Sequence, residues 1–544
     1  MDPLLHVTVG GLLKNTADSF TDREAVIYSA ESIRYTYGEF YEETSRVSKA
    51  LMGLGISKGD HVAVWATNVP QWLLLQFATA RIGAVLVTVN TSYQASELHY
   101  LLQQSDAKAL FLIDGYKGTS YPDIVHSMMQ SSSASTYHPL PELQHLVYIG
   151  KHQAPDNMMS WQEMMQYNSA VTDEELLERE AALSPHDVIN MQYTSGTTGF
   201  PKGVMLTHHN IVNNGYLVAR NMKLSEKDKL CIPVPFFHCF GCVLANLACV
   251  SAGAAMVPII EFDPELVLQT VQDEKCTALH GVPTMFISEL NSETFSSFDL
   301  SSLRTGIMAG STCPIEVMKK VMESMGMSEI TIGYGQTESS PVITQTTVTD
   351  SVERRVETVG KAHPHVEVKI VQPGTGEEVP PNTQGELCTR GYLVMKGYYK
   401  MPEATREAID EDGWLHTGDL AEKDEDGYVR ITGRLKDMII RGGENIYPRE
   451  IEEYLYRHPD IIDVQVIGVP DPKYGEKVAA CMIIREEASL SEQEIKDFCK
   501  GQLSFYKIPE YCFFVKQYPM TASGKIQKFK LREQALNWIS ETAK

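Results

Sequence analysis

The sequence predicts an α/β fold: a large N-terminal domain of layered α/β subdomains plus a β-rich subdomain, with a small mobile α+β C-terminal domain. Three observations predict it. The chain has 544 residues, more than one hydrophobic core usually supports. Its first 180 residues alternate strand and helix patterns, which is typical of parallel layered sheets. Residues 373–384 are rich in Pro, Gly, Asn and Thr, which indicates turns between β-strands.

The N-terminal elements follow in order along the chain. Apolar residues at helical spacing predict a helix over 36–54, and a buried helix is predicted over 72–80. Continuous apolar runs predict three strands, over 62–66, 84–89 and 109–113.

The last hundred residues predict a separate α+β unit. Pro448 is suited to the first position of a helix. Ser491 and Glu494 have the spacing of a capping box at the start of another helix. Apolar runs over 464–467 and 478–484 predict strands.

Composition excludes some classes of function. The net charge is −23, from 47 basic and 70 acidic residues, so no basic excess exists to neutralise a nucleic-acid backbone. Ten cysteines are too sparse for a disulfide framework, and the start of the chain lacks a signal-peptide pattern. We therefore expect reduced thiols and a cytoplasmic protein, or a mitochondrial matrix protein if a presequence has been removed.

Two segments resemble features that we do not expect. Residues 231–260 carry no charge, but the prolines and polar residues within them predict a loop, a buried helix and a buried strand, and no transmembrane segment. Cys239 and Cys242 have the spacing of a redox or zinc pair. No second pair lies nearby, so we expect two small buried thiols.

The segment 193–204 carries the strongest chemical signal. It follows a strand-like run and holds three glycines, four hydroxyl side chains and one lysine. Glycines let backbone N–H groups approach a bulky anion, while the hydroxyls and Lys202 add donors and a positive charge. Lys202 precedes Gly203, whereas a Walker loop needs Ser or Thr after its Gly-Lys. The alternatives are a triphosphate-binding loop of another type and a flexible surface turn.

Three further segments of the first 419 residues carry candidate side chains, each with a plainer alternative. His238, among aromatics, is a gate beside an apolar acyl pocket or a hydrogen-bonded core residue. In 333–338, Tyr334 can stack on a purine, and Glu338 can ligate Mg²⁺ or be a solvated acid. Asp419 ends a segment from 410 and can accept hydrogen bonds from both hydroxyls of a ribose, or it lies in an ordinary turn.

Two segments belong to the C-terminal part. Residues 433–448 combine charges with paired glycines, as expected of a linker or a hinge. Lys525 follows a Ser-Gly turn in 519–525, and an exposed solubilising lysine is the default interpretation of such a residue.

Together these six ordered motifs resemble the adenylate-forming superfamily, which contains acyl-CoA synthetases, non-ribosomal peptide synthetase adenylation domains and firefly luciferase. The resemblance covers nearly the whole chain, up to Lys525. Within the superfamily, the runs 236–241 and 441–452 are most similar to fatty acyl-CoA synthetases of the family member 2 type.

The resemblance implies a fatty acid–CoA ligase that acts on medium-length chains, with ATP, Mg²⁺ and CoA as cofactor and substrates. An acyl-adenylate and pyrophosphate form first, and the CoA thiol then gives the thioester and AMP. The implied catalytic residues are Lys525, Glu338, Thr337 and His238, with Thr194 and Glu338 as metal ligands. The implied ATP-binding residues are Thr194, Ser195, Gly196, Thr197, Thr198, Gly199, Phe200, Pro201, Lys202, Gly310, Ser311, Tyr334, Asp419, Arg434 and Lys525. The implied acyl- and CoA-binding residues are His238, Phe240, Val282, Ala309 and Gly443.

The resemblance also implies a domain rotation between the two steps. The pivot falls on Lys436, where many relatives have Asp. The implied division is an N-terminal domain over 1–433, a hinge over 434–437 and a C-terminal domain over 438–544. In the rotated state Gly443 would line the pantetheine tunnel, because a glycine leaves room for a narrow chain.

Alternatives remain at this point. An adenylation enzyme that loads a carrier protein would share every motif, and a catalytically silent nucleotide-binding protein could keep the same scaffold. A luciferase-like oxygenase is a third option, but no residue singles it out. A homodimer is compatible with the sequence, which specifies neither the oligomeric state nor membrane association.

Overall fold

The structure is a computed structural model, and it describes residues 3–129, 140–194, 201–311, 313–442, 444–500, 502–521 and 525–542. The helices of the described residues are α1 (Val9–Ser19), α2 (Tyr37–Gly53), α3 (Pro70–Ile82), α4 (Ala95–Gln104), α5 (Tyr121–Met129), α6 (Trp161–Gln166), α7 (Asp173–Ala181), α8 (His208–Asn221), α9 (Cys239–Gly241), α10 (Ala248–Ala252), α11 (Pro264–Glu274), α12 (Pro283–Leu290), α13 (Ile315–Ser324), α14 (Val352–Glu357), α15 (Pro402–Ala408), α16 (Pro448–Leu455), α17 (Glu492–Cys499) and α18 (Lys528–Thr542). Single 3₁₀ turns cover Tyr167–Ala170, Phe295–Ser297 and Thr337–Ser339, and a π-helix over Cys242–Leu247 joins α9 to α10.

The strands are β1 (Glu24–Tyr28), β2 (Ile33–Thr36), β3 (His61–Trp65), β4 (Val85–Thr88), β5 (Ala107–Leu112), β6 (Gly115–Tyr116), β7 (Thr119–Ser120), β8 (His145–Tyr148), β9 (Met159–Ser160), β10 (Val188–Thr194), β11 (Lys202–Thr207), β12 (Lys229–Ile232), β13 (Ala255–Pro258), β14 (Ala278–Leu279), β15 (Thr305–Met308), β16 (Glu329–Gly335), β17 (Val342–Gln345), β18 (Lys361–Ala362), β19 (Val366–Val371), β20 (Gly385–Gly391), β21 (Gly397–Tyr398), β22 (Leu415–Lys423), β23 (Val429–Arg434), β24 (Ile439–Arg441), β25 (Glu444–Ile446), β26 (Ile461–Asp471), β27 (Gly475–Ile484) and β28 (Tyr511–Phe514).

Two large sheets with parallel centres form most of the molecule. One has nine strands in the order β18-β17-β16-β15-β14-β12-β13-β1-β2, and the other has eight in the order β21-β11-β10-β4-β3-β5-β8-β9. In the second sheet β3, β4, β5 and β8 pair in parallel, as strands joined by crossover helices do. Helices cover these strands, so both sheets are largely buried, and the mixed α/β class expected from the sequence is confirmed.

Two smaller sheets follow in the chain. Strands β19, β20, β22 and β23 form an antiparallel sheet, which is the expected β-rich part, with residues 373–384 in the turns between β19 and β20. The last sheet, β25-β24-β27-β26 with β28 on β27, packs against α16, α17 and α18 around its own apolar clusters. A large α/β part is therefore followed by a small α+β part, in the order that the sequence predicts.

Local predictions agree with the elements. Helix α16 begins at Pro448, in its first turn, and the side chain and backbone of Ser491 make both capping-box contacts with Glu494 at the start of α17. The uncharged run 231–260 contains a loop, the buried helical segment from α9 to α10 and the buried strand β13. Cys239 and Cys242 are free, buried thiols. Across the described residues, no helix combines the length and the apolar character needed to cross a membrane.

Candidate active site

The two ends of the glycine-rich segment lie side by side. Thr194 ends β10 and pairs with Lys202, the first residue of the antiparallel strand β11. Pro201 is fixed by the hydroxyl of Tyr100, which donates to its carbonyl oxygen at 3.1 Å. Ser195, Gly196, Thr197, Thr198, Gly199 and Phe200 lie outside the described residues, so the structure gives only the base of this hairpin loop. Thr194 and Lys202, the two residues at that base, are both half-buried.

Tyr398 joins the loop to Glu338, and sequence reasoning missed it. Its strand, β21, pairs with β11, and its ring lies 4.7 Å from Nζ of Lys202. Its hydroxyl donates to Oε1 of Glu338 at 2.8 Å, while Thr337 is buried in the adjoining 3₁₀ turn. Nothing local marks Tyr398, because its role depends on pairing between strands almost 200 residues apart.

Asp419 is the centre of a second group. It is 4% exposed and pairs with Arg434 across β22 and β23. Oδ1 lies 2.9 Å from Nε of Arg434, and Oδ2 accepts the hydroxyl of Tyr334 at 2.8 Å. The carboxylate raises the pKa of the Arg434 guanidinium, and burial raises the pKa of the Tyr334 hydroxyl. The motifs at 333–338, 410–419 and 433–448 therefore meet at one carboxylate.

Gly310 connects this group to the apolar residues. Its φ is +91°, a conformation that favours glycine, and a Cβ there would lie 3.0 Å from Cγ1 of Val282 and 3.7 Å from Cε of Lys525. Ser311 beside it is exposed, whereas Val282 and Ala309 are 2% and 6% exposed. The segment after β15 thus faces the C-terminal lysine on one side and the apolar interior on the other.

The apolar interior holds His238 and Phe240 at the start of α9. The Phe240 ring centroid lies 5.4 Å from that of buried His280. The backbone N–H of Phe240 donates to Nδ1 of His238 at 3.2 Å, so a neutral His238 ring carries its proton on Nε2. Burial, with a smaller effect of Lys525, lowers the pKa of His238 to about 3, which keeps the ring neutral at pH 7.

Lys525 reaches this site from the C-terminal part. Its backbone N–H donates to Oγ1 of Thr521 at 3.0 Å, and its carbonyl oxygen accepts the Thr521 N–H at 2.7 Å. Its Nζ lies 3.5 Å from Nε2 of His238. The default interpretation of an exposed lysine is therefore wrong, because the side chain is inserted among residues of the N-terminal part. Burial, with the Arg434 charge second, lowers the pKa of Lys525 to about 8.

The ammonium and the imidazole N–H are both donors, and they converge on the same space. Such a pair is suited to an anion placed between or beside them. Lys525 is also within electrostatic range of Glu338, Asp419 and Arg434. The structure therefore brings Lys525 close to described candidate residues of four other motifs, namely His238, Glu338, Asp419 and Arg434.

Two further candidates belong to the predicted hinge segment and its neighbourhood. Lys436 is exposed, two residues beyond Arg434, on the segment that leads into β24. Gly443 lies outside the described residues.

The chain is similar to known proteins along most of its length. The chain matches the family AMP-binding enzyme over residues 13–399 and the AMP-binding enzyme C-terminal domain over residues 450–525. The Bacillus subtilis (strain 168) protein named "Putative acyl-CoA synthetase YngI" is 61% identical over 545 residues, which is 99% of each chain. The Danio rerio protein named "Medium-chain acyl-CoA ligase ACSF2, mitochondrial" is 42% identical over 540 residues, which is 98% of this chain and 89% of that protein.

Among solved structures, the crystal structure of the anthranilate CoA ligase AuaEII in complex with anthranoyl-AMP is similar with a TM-score of 0.86. That likeness covers 98% of each chain at 27% identity. Because the family matches most of the chain, and a relative shares well over half of its residues across the full length, this protein belongs to the AMP-binding enzyme family.

Proposed function

We propose that this protein is an ATP-dependent fatty acid–CoA ligase. It activates a carboxylic acid as an acyl-adenylate with release of pyrophosphate, and it then transfers the acyl group to CoA with release of AMP. The observation that carries the proposal is the insertion of Lys525 beside His238, Gly310 and the Asp419–Arg434 pair. A lysine delivered from the C-terminal part to an anion-binding space suits a reaction between two anions.

The first step joins a substrate carboxylate to the α-phosphate of ATP. A carboxylate oxygen attacks phosphorus, and the bond to the pyrophosphate oxygen breaks. Negative charge accumulates on the oxygens around phosphorus, and the Lys525 ammonium offsets it as a compact charge with three donors. The Nε2–H of His238, 3.5 Å away, would orient the incoming carboxylate.

The nucleotide would be held by residues that already restrain one another. Asp419, fixed by Arg434 and by the Tyr334 hydroxyl, would accept the ribose hydroxyls. The Tyr334 ring would stack on adenine, with Gly310 and Ser311 on the other side. The loop between Thr194 and Lys202 would bind the β- and γ-phosphates, with donors from Ser195, Gly196, Thr197, Thr198, Gly199 and Phe200.

Mg²⁺ fits the donor set at the loop. The Thr194 hydroxyl and the Glu338 carboxylate are oxygen ligands, the kind that Mg²⁺ takes together with water and phosphate oxygens. The Tyr398 hydroxyl holds Oε1 of Glu338, so Oε2 would be the ligand. When bound, the cation would neutralise part of the triphosphate charge. Thr337 would set the position of Glu338 from its buried 3₁₀ turn.

The acyl chain would enter the apolar region lined by His238, Phe240, Val282 and Ala309. Phe240, Val282 and Ala309 are buried, so the site can exclude water from an alkyl chain. Medium-length fatty acids are our proposed substrates, which the name of the Danio rerio relative supports.

The second step needs room for CoA where Lys525 now lies. We propose a domain division into 1–433, a hinge over 434–437 and 438–544, with rotation about Lys436. The exposure of Lys436, and its position between the Asp419–Arg434 pair and β24, support that pivot. In the rotated state Gly443 would line the pantetheine path, the CoA thiol would attack the acyl carbonyl, and AMP would leave.

Ten free cysteines, all buried, support a reducing compartment, and the cytoplasm is the one we propose. A mitochondrial matrix location, after removal of a presequence, has the same redox support.

The test is AMP release by purified protein with ATP, Mg²⁺, CoA and a series of acids from two to sixteen carbons. We expect AMP and thioester in equal amounts, with a maximum at medium length. If no acid in the series led to AMP release, the proposed ligase activity would be refuted. AMP with no free thioester, but with acylation of an added phosphopantetheinyl carrier protein, would show a carrier-loading enzyme instead.

A further inference from the structure

A second group of reactive side chains lies in the β-rich sheet, on the same strand as Asp419 of the candidate active site but with its own set of contacts. Cys388 on β20 pairs directly with His416 on β22, and Glu386 lies two residues before Cys388 on the same strand. The pairing of the two strands shifts register between Glu386 and Cys388, and this shift brings Glu386 toward His416. Cys388 is buried, whereas the imidazole and the carboxylate are partly exposed.

The potential ligand atoms of the three side chains converge. Nδ1 of His416 lies 3.0 Å from Oε2 of Glu386 and 3.4 Å from Sγ of Cys388, and all the ligand atoms lie within 4.8 Å of one another. No other trio of His, Cys, Asp or Glu in the described ranges meets that limit. Ligand atoms spaced 3 to 4 Å apart are typical of the first coordination sphere of a tetrahedral ion with bonds of about 2.0 to 2.3 Å.

The remaining atoms of the group are held by the protein. Oε1 of Glu386 accepts the backbone N–H of Gly418 at 3.1 Å, which leaves Oε2 directed at His416. Nε2 of His416 lies 3.7 Å from Oδ2 of Asp410, and Oδ1 of Asp410 accepts the N–H groups of Asp412 and Trp414. At 3.7 Å the Asp410 carboxylate makes no hydrogen bond to the ring, but its charge favours a proton on Nε2, which leaves Nδ1 to face a metal.

We propose that Glu386, Cys388 and His416 form a binding site for a zinc-class divalent cation, with Asp410 as the residue that orients His416. A thiolate, an imidazole and a carboxylate are the donors that Zn²⁺ takes, and Mg²⁺ avoids thiolate. Three protein ligands leave a fourth position for water. Since His416 is three residues before Asp419 on β22, the ion would lie near the proposed ribose ligand on the same strand.

Metal binding would release the proton of the Cys388 thiol. A metal binds the thiolate and not the thiol, so metal binding and proton release go together. The competing interpretation is a histidine that is hydrogen-bonded to Glu386, lies near Asp410 and has no affinity for metal. The two interpretations differ in a direct binding measurement.

The experiment is a titration of the full-length, reduced and chelator-treated protein with Co²⁺, without nucleotide and Mg²⁺. We expect one Co²⁺ per chain, with the near-ultraviolet thiolate charge-transfer band and the visible bands of four-coordinate cobalt, and displacement by Zn²⁺. X-ray absorption of the zinc-loaded protein should give one sulfur at about 2.3 Å and nitrogen or oxygen ligands at about 2.0 Å. If the wild-type protein binds no stoichiometric Co²⁺, or binds it without a thiolate ligand, the proposal is overturned by this titration alone.

Three substitutions assign the site. Cys388→Ser should abolish the charge-transfer band, and Glu386→Gln should weaken binding by more than about tenfold. Cys481→Ser, at another buried free thiol in the last sheet, is the matched control and should leave binding unchanged. Thermal unfolding of each metal-free variant reports whether it folds. Full binding by folded Cys388→Ser, or equal loss in Cys481→Ser, would show that the metal binds elsewhere and would overturn the assignment.

Discussion

The Nζ atom of Lys525 lies 3.5 Å from Nε2 of His238, although the two residues are 287 positions apart in the chain. The contact joins the C-terminal part of the molecule to the apolar part of the candidate site. It places an ammonium where the proposed reaction accumulates negative charge, and the proposed second step would need CoA in the position that Lys525 occupies. We therefore propose that this arrangement is the one in which the adenylate forms.

The pH dependence of adenylation should report the ionisation of Lys525. Lys525, with its pKa lowered to about 8, is charged below that pH and neutral above it. We therefore expect kcat/KM for adenylate formation to fall as pH rises through about 8, because this parameter reports the free enzyme. Pyrophosphate exchange between pH 6.5 and 9.5 measures it. Lys525→Arg should be slower but lack this alkaline limb, because a guanidinium stays charged. A wild-type profile that is flat to pH 9.5 would contradict the assignment.

The ring and the hydroxyl of Tyr334 should contribute separately to the binding of ATP. Tyr334→Phe keeps the ring but removes the hydrogen bond to Asp419, so we expect the KM for ATP to rise by about two- to tenfold, as for one hydrogen bond of about 0.5–1.5 kcal/mol. Tyr334→Leu also removes the stacking surface and should raise the KM further. Steady-state kinetics over ATP concentration measure both variants. Equal KM values for the two variants would argue against stacking on adenine.

Glu453 should stabilise the observed arrangement of the C-terminal part against the N-terminal part. It lies on α16, and its Oε2 accepts the N–H of Ile315 at 3.5 Å, at the start of α13, which has no side-chain cap of its own. Loss of this contact between the two parts should slow adenylation by roughly fivefold, corresponding to about 1 kcal/mol. Glu453→Ala is the variant, and pyrophosphate exchange measures the rate.

The control for Glu453 lies on the same helix. Glu450 pairs with Lys507 at 2.7 Å, within the C-terminal part, so Glu450→Ala should leave the adenylation rate unchanged. Thiolysis of supplied acyl-AMP should be unaffected in both variants. A similar loss of both half-reactions in Glu453→Ala would indicate general destabilisation instead of a contact specific to adenylation.

Glu289 should make the free energy of unfolding fall as pH rises. Its carboxyl group is fully buried on α12, both oxygens lack a hydrogen-bond partner within the described residues, and burial raises its pKa well above 4.5. The folded state therefore holds the proton that the unfolded chain releases above about pH 4.5, and stability is lost as pH rises beyond that point. The loss approaches about 1.4 kcal/mol per pH unit while the folded carboxyl stays protonated.

The variant for Glu289 is Glu289→Gln, which keeps the shape and cannot ionise. We measure the urea concentration at the midpoint of unfolding for the wild type and the variant. The two midpoints should differ little near pH 4.5, and the midpoint of the variant should become increasingly higher than that of the wild type toward pH 8. A constant difference across that range would mean that Glu289 does not titrate on unfolding.

Much of the fold and of the site was predictable from local patterns. Pro448 and the Ser491–Glu494 pair mark helix starts because capping acts within a few residues. Residue type identified Asp419 as a candidate, since a carboxylate can accept both hydroxyls of a ribose, whereas Lys525 became a candidate only through the family resemblance. These signals depend on neighbours in sequence, which a reader of the chain can see.

Contacts between distant strands were not predictable. Tyr398 reaches Glu338 only because β21 pairs with β11, and Cys388 meets His416 only through the register of β20 and β22. The burial of Glu289 likewise depends on how α12 packs, since a carboxylate at a helix end is usually solvated. Strand register and helix packing are set by the whole core. The residues next to Tyr398, Cys388 and Glu289 in the sequence therefore give no signal of these contacts.

The most direct test separates the two half-reactions in Lys525→Ala. The variant should lose adenylate formation by about 10²- to 10³-fold, the usual effect of removing one charge-stabilising donor, and should keep near wild-type thiolysis when acyl-AMP and CoA are supplied. Pyrophosphate exchange and thioester formation measured on the same preparation decide it. Unimpaired pyrophosphate exchange, or an equal loss of both rates in a folded variant, would contradict the role of Lys525.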